Sequence, residues 1–156
     1  MNAMIDETHD PARRSFVSAA NDPSGEFPIQ NLPLGVFSRG KDGKPSAGIA
    51  IGDQILDLHA AHRVGLLPAD IPERTVADSS LNSLFALGPR SLRILRNTVS
   101  AALDAGSSGE AALRHASDLL CPNGGLHDAS PDRGAELYGF LCRHIPREGG
   151  GCASHA

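Results

Sequence analysis

The chain has 156 residues, of which 40% are apolar and only 4% aromatic, and its formal charge is −4. That length allows one domain with a tail. The absence of a basic block excludes a nucleic-acid partner, and no apolar run approaches the length of a membrane helix.

The first segment, 1–25, is polar and reads as an N-terminal arm. Its opening MNAMIDETHDPARR is acidic and polar, unlike a secretory signal. Only RSFVSAAN (14–21) offers apolar side chains, and Phe16 and Val17 are its candidates for docking onto a domain.

Three short apolar runs follow, at 34–38, 46–51 and 54–58. The first two are separated by RGKDGKP (39–45), whose Gly, Asp and Pro content marks an exposed loop. The second and third are joined by Gly52–Asp53, a two-residue hairpin connection. Together they predict a β-meander. Gly35 and Gly48 inside the runs predict the bulges or bends of a strongly curved sheet.

Helical patterning begins after residue 58. HAAHRVGLL (59–67) has room for one or two turns, stopped near Gly65. SSLNSLFALG (79–88) predicts a helix with Ser80 as N-cap and Gly88 just past its end, and Pro89 suits the first turn of the next. In that next helix, 89–106, Leu92, Leu95, Val99, Ala102 and Leu103 share one face, opposite Arg90, Arg93, Asn97 and Ser100. A further short helix is predicted over 110–120. Residues 121–156 hold seven of the seventeen glycines and keep neither period, so they are expected to form an irregular or disordered tail.

Chemistry-bearing residues concentrate in that tail. Cys142, His144, Cys152 and His155 have soft donors, but their spacing is not that of a zinc finger. An accidental set in an unstructured tail is the better account. Cys121 or Cys142 as nucleophile needs a positioned base, and His127 and His144 are near in sequence only. His59 and His62 are read as a solvated or capping pair, Asp53 as a turn residue, and Asp57 as a cap or edge residue. The glycines of GGLHD and EGGGC match no phosphate loop. The chain therefore has no assigned catalytic, cofactor-binding or metal-binding residue. Three cysteines, all at or beyond 121, argue against a disulfide framework and for a cytoplasmic setting.

EFPIQNLPLGVFS (26–38), GIAIGDQILDL (48–58), RSFVSAAN and LNSLFALGP (81–89) occur in an order and spacing that resemble the N-terminal domain of the fumarylacetoacetase family. The resemblance covers roughly residues 14–120. It implies a mainly β fold, a small SH3-like barrel with packed accessory helices over 26–120. It also implies a larger catalytic domain as partner, in a homodimer.

The family hydrolyses 4-fumarylacetoacetate to fumarate and acetoacetate in tyrosine and phenylalanine catabolism. It uses a His–Glu pair and a calcium or magnesium ion in the catalytic domain. No residue of this chain matches those groups, so the chain is expected to be inactive alone and, with its apolar faces uncovered, poorly soluble or loosely oligomeric. The competing class is a free-standing SH3-like protein-interaction module.

Where the family continues with TMHLP, YTDFY and HA segments, this chain has an unrelated tail. The codons that Cys121 to Pro131 demand permit VPMADCTMHLP when read one nucleotide later. From Leu137 onward the same shift permits YTDFYVGI and, one slot later, HA. A one-nucleotide change of frame near Leu120–Cys121 accounts for both strings and makes 121–156 an out-of-frame product.

Overall fold

The computed structural model describes residues 6–39, 43–115 and 118–123, and the backbone of a strand at 135–141. Among the described residues, five strands form one antiparallel sheet: β1 Leu34–Arg39, β2 Ser46–Ile51, β3 Gln54–Asp57, β4 Leu120–Pro122 and β5 Ala135–Leu141. Their order is β4-β3-β2-β1-β5. The meander is therefore present as β1 to β3. The expected barrel is not closed, because among the described residues β4 and β5 are the two edges.

Pairing registers separate the two sheet faces. Leu34 stands opposite Ile49, which stands opposite Leu56, and Leu56 opposite Leu120. With Val36, Ala47 and Ile51 these residues form the face that meets the helices, and Ile49, Ile51 and Leu56 are almost fully buried there. Burying each such side chain contributes about 1.5–3 kcal/mol. Side chains alternate along a strand, so Phe37, Gly48, Ile55 and Cys121 belong to the opposite face. Phe37, Ile55 and Cys121 form a second, smaller buried cluster.

Gly48 makes that second cluster possible. A Cβ at Gly48 would lie 2.7 Å from Phe37 Cδ1 and 2.8 Å from Ile55 Cγ2. The glycine that sequence alone assigns to a bend is thus needed for close packing. Gly52 has the other glycine role. At φ 57° it turns β2 into β3, while its N–H donates to the Phe27 carbonyl.

Among the described residues, five α-helices contribute side chains to the buried cluster on the first sheet face: α1 Leu58–Arg63, α2 Glu73–Val76, α3 Asn82–Phe85, α4 Gly88–Leu103 and α5 Ser108–His115. α1 ends before Gly65, which takes a left-handed φ of 76°. α4 buries Leu95, Val99, Ala102 and Leu103 and carries Pro89 in its first turn, as its pattern predicts, but Ser100, expected on the polar face, is fully buried beside Val99 and Leu103.

The third helix corrects the sequence reading. It is four residues long, and Ser80 does not cap it. Asp78 organises the turn instead, accepting from the Ser80 N–H and the Ser83 hydroxyl. α2 carries too few residues to show a period. The helix expected over 110–120 stops at His115, and Leu119 and Leu120 go to the core and to β4.

Two strands lie where the sequence shows no periodicity. β4 straddles the boundary at 120, and β5 lies within the tail. The rest of the expected irregular tail, 124–134 and 142–156, lies outside the described residues.

The arm forms two 3-10 turns, Glu7–His9 and Ser18–Asn21. Val17 is buried and Phe16 packs on the core, as their apolar character predicts. Polar contacts hold the remainder. The Ser15 hydroxyl donates to the Leu103 carbonyl, and the Ala105 N–H to that of Arg14.

Candidate functional site

One polar constellation sits on the second sheet face, around Asp57. This residue ends β3 and precedes α1, so its carboxylate faces two obligations. Asp57 Oδ1 accepts from the Ala60 N–H at 3.0 Å and caps α1. Asp57 Oδ2 lies 2.9 Å from Arg39 Nη2 at the end of β1. The same guanidinium nitrogen donates to the Asp118 carbonyl, just before β4. Arg39 thus ties together β1, β3 and the entry to β4. Sequence reasoning placed Arg39 in an exposed loop and missed this role, because the partners are far apart in the chain. Asp57 as a cap was legible from its place before a helical pattern.

Cys121 lies beside this pair, opposite Ile55. Burial pushes its thiol upward, while the Arg39 charge acts in the other direction with a smaller effect. A buried thiol held in its neutral form is a packing group and not an activated nucleophile. The other residues weighed for chemistry do not converge on it. His59 meets Glu73 at 3.1 Å on the helical side, and Asp53 lies in the β2–β3 turn. His127, Cys142, His144, Cys152, His155 and both tail glycine runs lie outside the described residues, as do Gly40, Lys41 and Asp42 of the basic loop.

A second polar node holds the arm. Arg96 on α4 donates from Nε to Thr8 Oγ1 and from its terminal nitrogens to the carbonyls of Gln30 and Asn31. Thr8 in turn donates to Asp6, and that bond leads the effects that hold the Asp6 carboxyl below its usual range. Gln30 Nε2 donates to the carbonyls of Asp10 and Arg13. The contacts are carbonyls, a hydroxyl and a guanidinium already engaged with one another, which is the composition of a structural latch. Deeper along α4, Ser100 is fully buried, and its hydroxyl has no hydrogen-bond partner among the described residues.

Among the described residues no group of three or more His, Cys, Asp or Glu is placed to hold a metal ion. The carboxylates that a hard divalent cation requires are not gathered there. No helix of the described residues is long and apolar enough to cross a membrane.

The profile of the fumarylacetoacetase N-terminal family matches residues 30–125, which contain β1 to β4 and all five helices. The chain belongs to that family. The fumarylacetoacetase of Mus musculus is 40% identical over 106 residues, which are 67% of this chain and 24% of the mouse protein. That of Arabidopsis thaliana is 36% identical over 103 residues, 65% of this chain and 23% of the plant protein. That of Caenorhabditis elegans is 56% identical over 45 residues, covering 29% and 10%. The chain therefore spans about a quarter of the length of the mouse and plant fumarylacetoacetases.

Proposed function

We propose that this chain is the N-terminal domain of a fumarylacetoacetase-type hydrolase and is not catalytic by itself. The reaction assigned to the whole enzyme is cleavage of 4-fumarylacetoacetate by water to fumarate and acetoacetate, in tyrosine and phenylalanine catabolism. One observation carries this reading: the family match is continuous over residues 30–125 and takes in the meander and every helix. The constellations at Asp57 and Arg96 are built to hold elements together, which suits a supporting domain.

The reacting groups, and the calcium or magnesium ion the family uses, are assigned to a catalytic domain that would follow this one. The chain's natural partner is then that domain within a cytoplasmic homodimer. We take the intact domain to complete a small SH3-like barrel around β1 to β4; the short antiparallel strands and the glycines within β1 and β2 support this.

We further propose that the reading frame changes by one nucleotide near Leu120–Cys121. The family match ends at 125, close to that point. An assay tests both parts of the reading. The 156-residue chain should give no hydrolysis of fumarylacetoacetate, and the product of the gene with its frame restored at codon 121 should hydrolyse it. Activity from the 156-residue chain alone would overturn the non-catalytic reading. An inactive but folded frame-restored product would overturn the proposed enzyme.

A further inference from the structure

β1 has β2 on one side, and the family-matched residues 30–125 supply no strand for the other. That other side is taken by β5, from beyond the matched region. Its register runs from Leu34 opposite Leu141 to Arg39 opposite Ala135. It steps past Gly139 between the Gly35–Phe140 and Val36–Tyr138 pairs, and glycine is the residue that best tolerates such a bulge.

The sequence of β1, LGVFSR, has none of the usual protections of an exposed edge. It contains no proline and no inward charge, and its one cation, Arg39, is spent on Asp57 and the Asp118 carbonyl.

We infer that the outer edge of β1 is a strand-accepting site. Its occupant is an extended segment of the same polypeptide from beyond residue 125, here 135–141, held by main-chain pairing and exchangeable. Pairing of this kind draws its strength from backbone hydrogen bonds and tolerates varied side chains. The inference stands apart from the activity and reading frame proposed above.

Two measurements on the full-length chain decide it. With Cys142 and Cys152 changed to Ser, the pairs Val36→Cys/Tyr138→Cys and Ser38→Cys/Glu136→Cys are oxidised separately. An intramolecular disulfide in either supports the site. A disulfide-linked dimer assigns the occupant to a second copy and overturns the same-chain assignment. No cross-link in either pair overturns the site.

Exchange is tested with Tyr138→Pro. Amide hydrogen exchange in β1 should rise about tenfold or more while β2 and β3 stay protected. Excess AELYGFL peptide should restore the β1 protection. Unchanged β1 exchange, or no restoration by peptide, overturns exchangeability. If the variant loses β2 and β3 protection as well, peptide competition against the oxidisable Cys pairs takes its place: fewer cross-links support exchange, and an unchanged yield overturns it.

Discussion

Arg39 and Asp57, eighteen residues apart, meet at 2.9 Å where β1 and β3 end on the same sheet face. The two sides of this contact are unequal. The Asp57 side chain is 11% exposed and also caps α1, whereas that of Arg39 is 44% exposed. A half-exposed ion pair contributes under about 1 kcal/mol, and a helix cap about 1 kcal/mol. Asp57→Ala should therefore cost about 2 kcal/mol in urea unfolding. Asp57→Asn keeps a capping oxygen and should cost about half of that. Equal losses in the two variants would show that the charge, and not the cap, dominates.

Gly48 should not tolerate even one methyl group. Phe37 and Ile55 crowd the position where a Cβ would stand, and overpacking of this kind costs about 1–3 kcal/mol. Gly48→Ala should lower the unfolding midpoint, and combining it with Ile55→Ala, which removes the crowding Cγ2 methyl, should cost less than the sum of the two single changes. Strict additivity of the two changes, measured in a double-mutant cycle, would contradict this contact.

Arg96 should control the arm. Its bonds to Thr8, Gln30 and Asn31 join three segments, and hydrogen bonds to a charged group contribute about 1.5–3 kcal/mol. Arg96→Ala should expose residues 6–25 to limited proteolysis while the sheet stays intact. Arg96→Lys, with one donor group instead of a fork, should fall between it and the parent. An arm as resistant in Arg96→Ala as in the parent would rule out the latch.

The Cys121 thiol is raised by burial, so the folded protein keeps its proton at a pH where the unfolded chain has lost it. This contribution is fully present below the ordinary thiol value of about 8.5 and is lost as the pH rises above it. With Cys142 and Cys152 changed to Ser, native Cys121 should react with a thiol reagent only slowly, and at full rate in denaturant. Cys121→Ala should flatten the fall in stability above that pH. Fast labelling of the native protein would contradict the burial.

The meander, α1, α4 and the roles of Asp53 and Asp57 were legible because they rest on local signals: alternating or helical apolar spacing, a Gly-Asp turn, an acidic residue before a helix. The family was legible from motifs within 14–120. Ser80 misled because it stands where a cap is expected, but the helix starts later and Asp78 takes over the turn. Arg39, Arg96 and the tight packing at Gly48 were not legible, since each depends on partners that only the fold brings near. β4 and β5 escaped for the same reason: neither holds a period, and each exists through pairing with β3 or β1.

The nucleotide sequence beneath codons 118–156 and onward for about 300 codons, the scale of one large domain, tests the central claim most directly. The account predicts that a one-nucleotide shift near codon 121 encodes TMHLP and then YTDFY, followed by a long open frame. A sequence that encodes neither string in the next frame would contradict it.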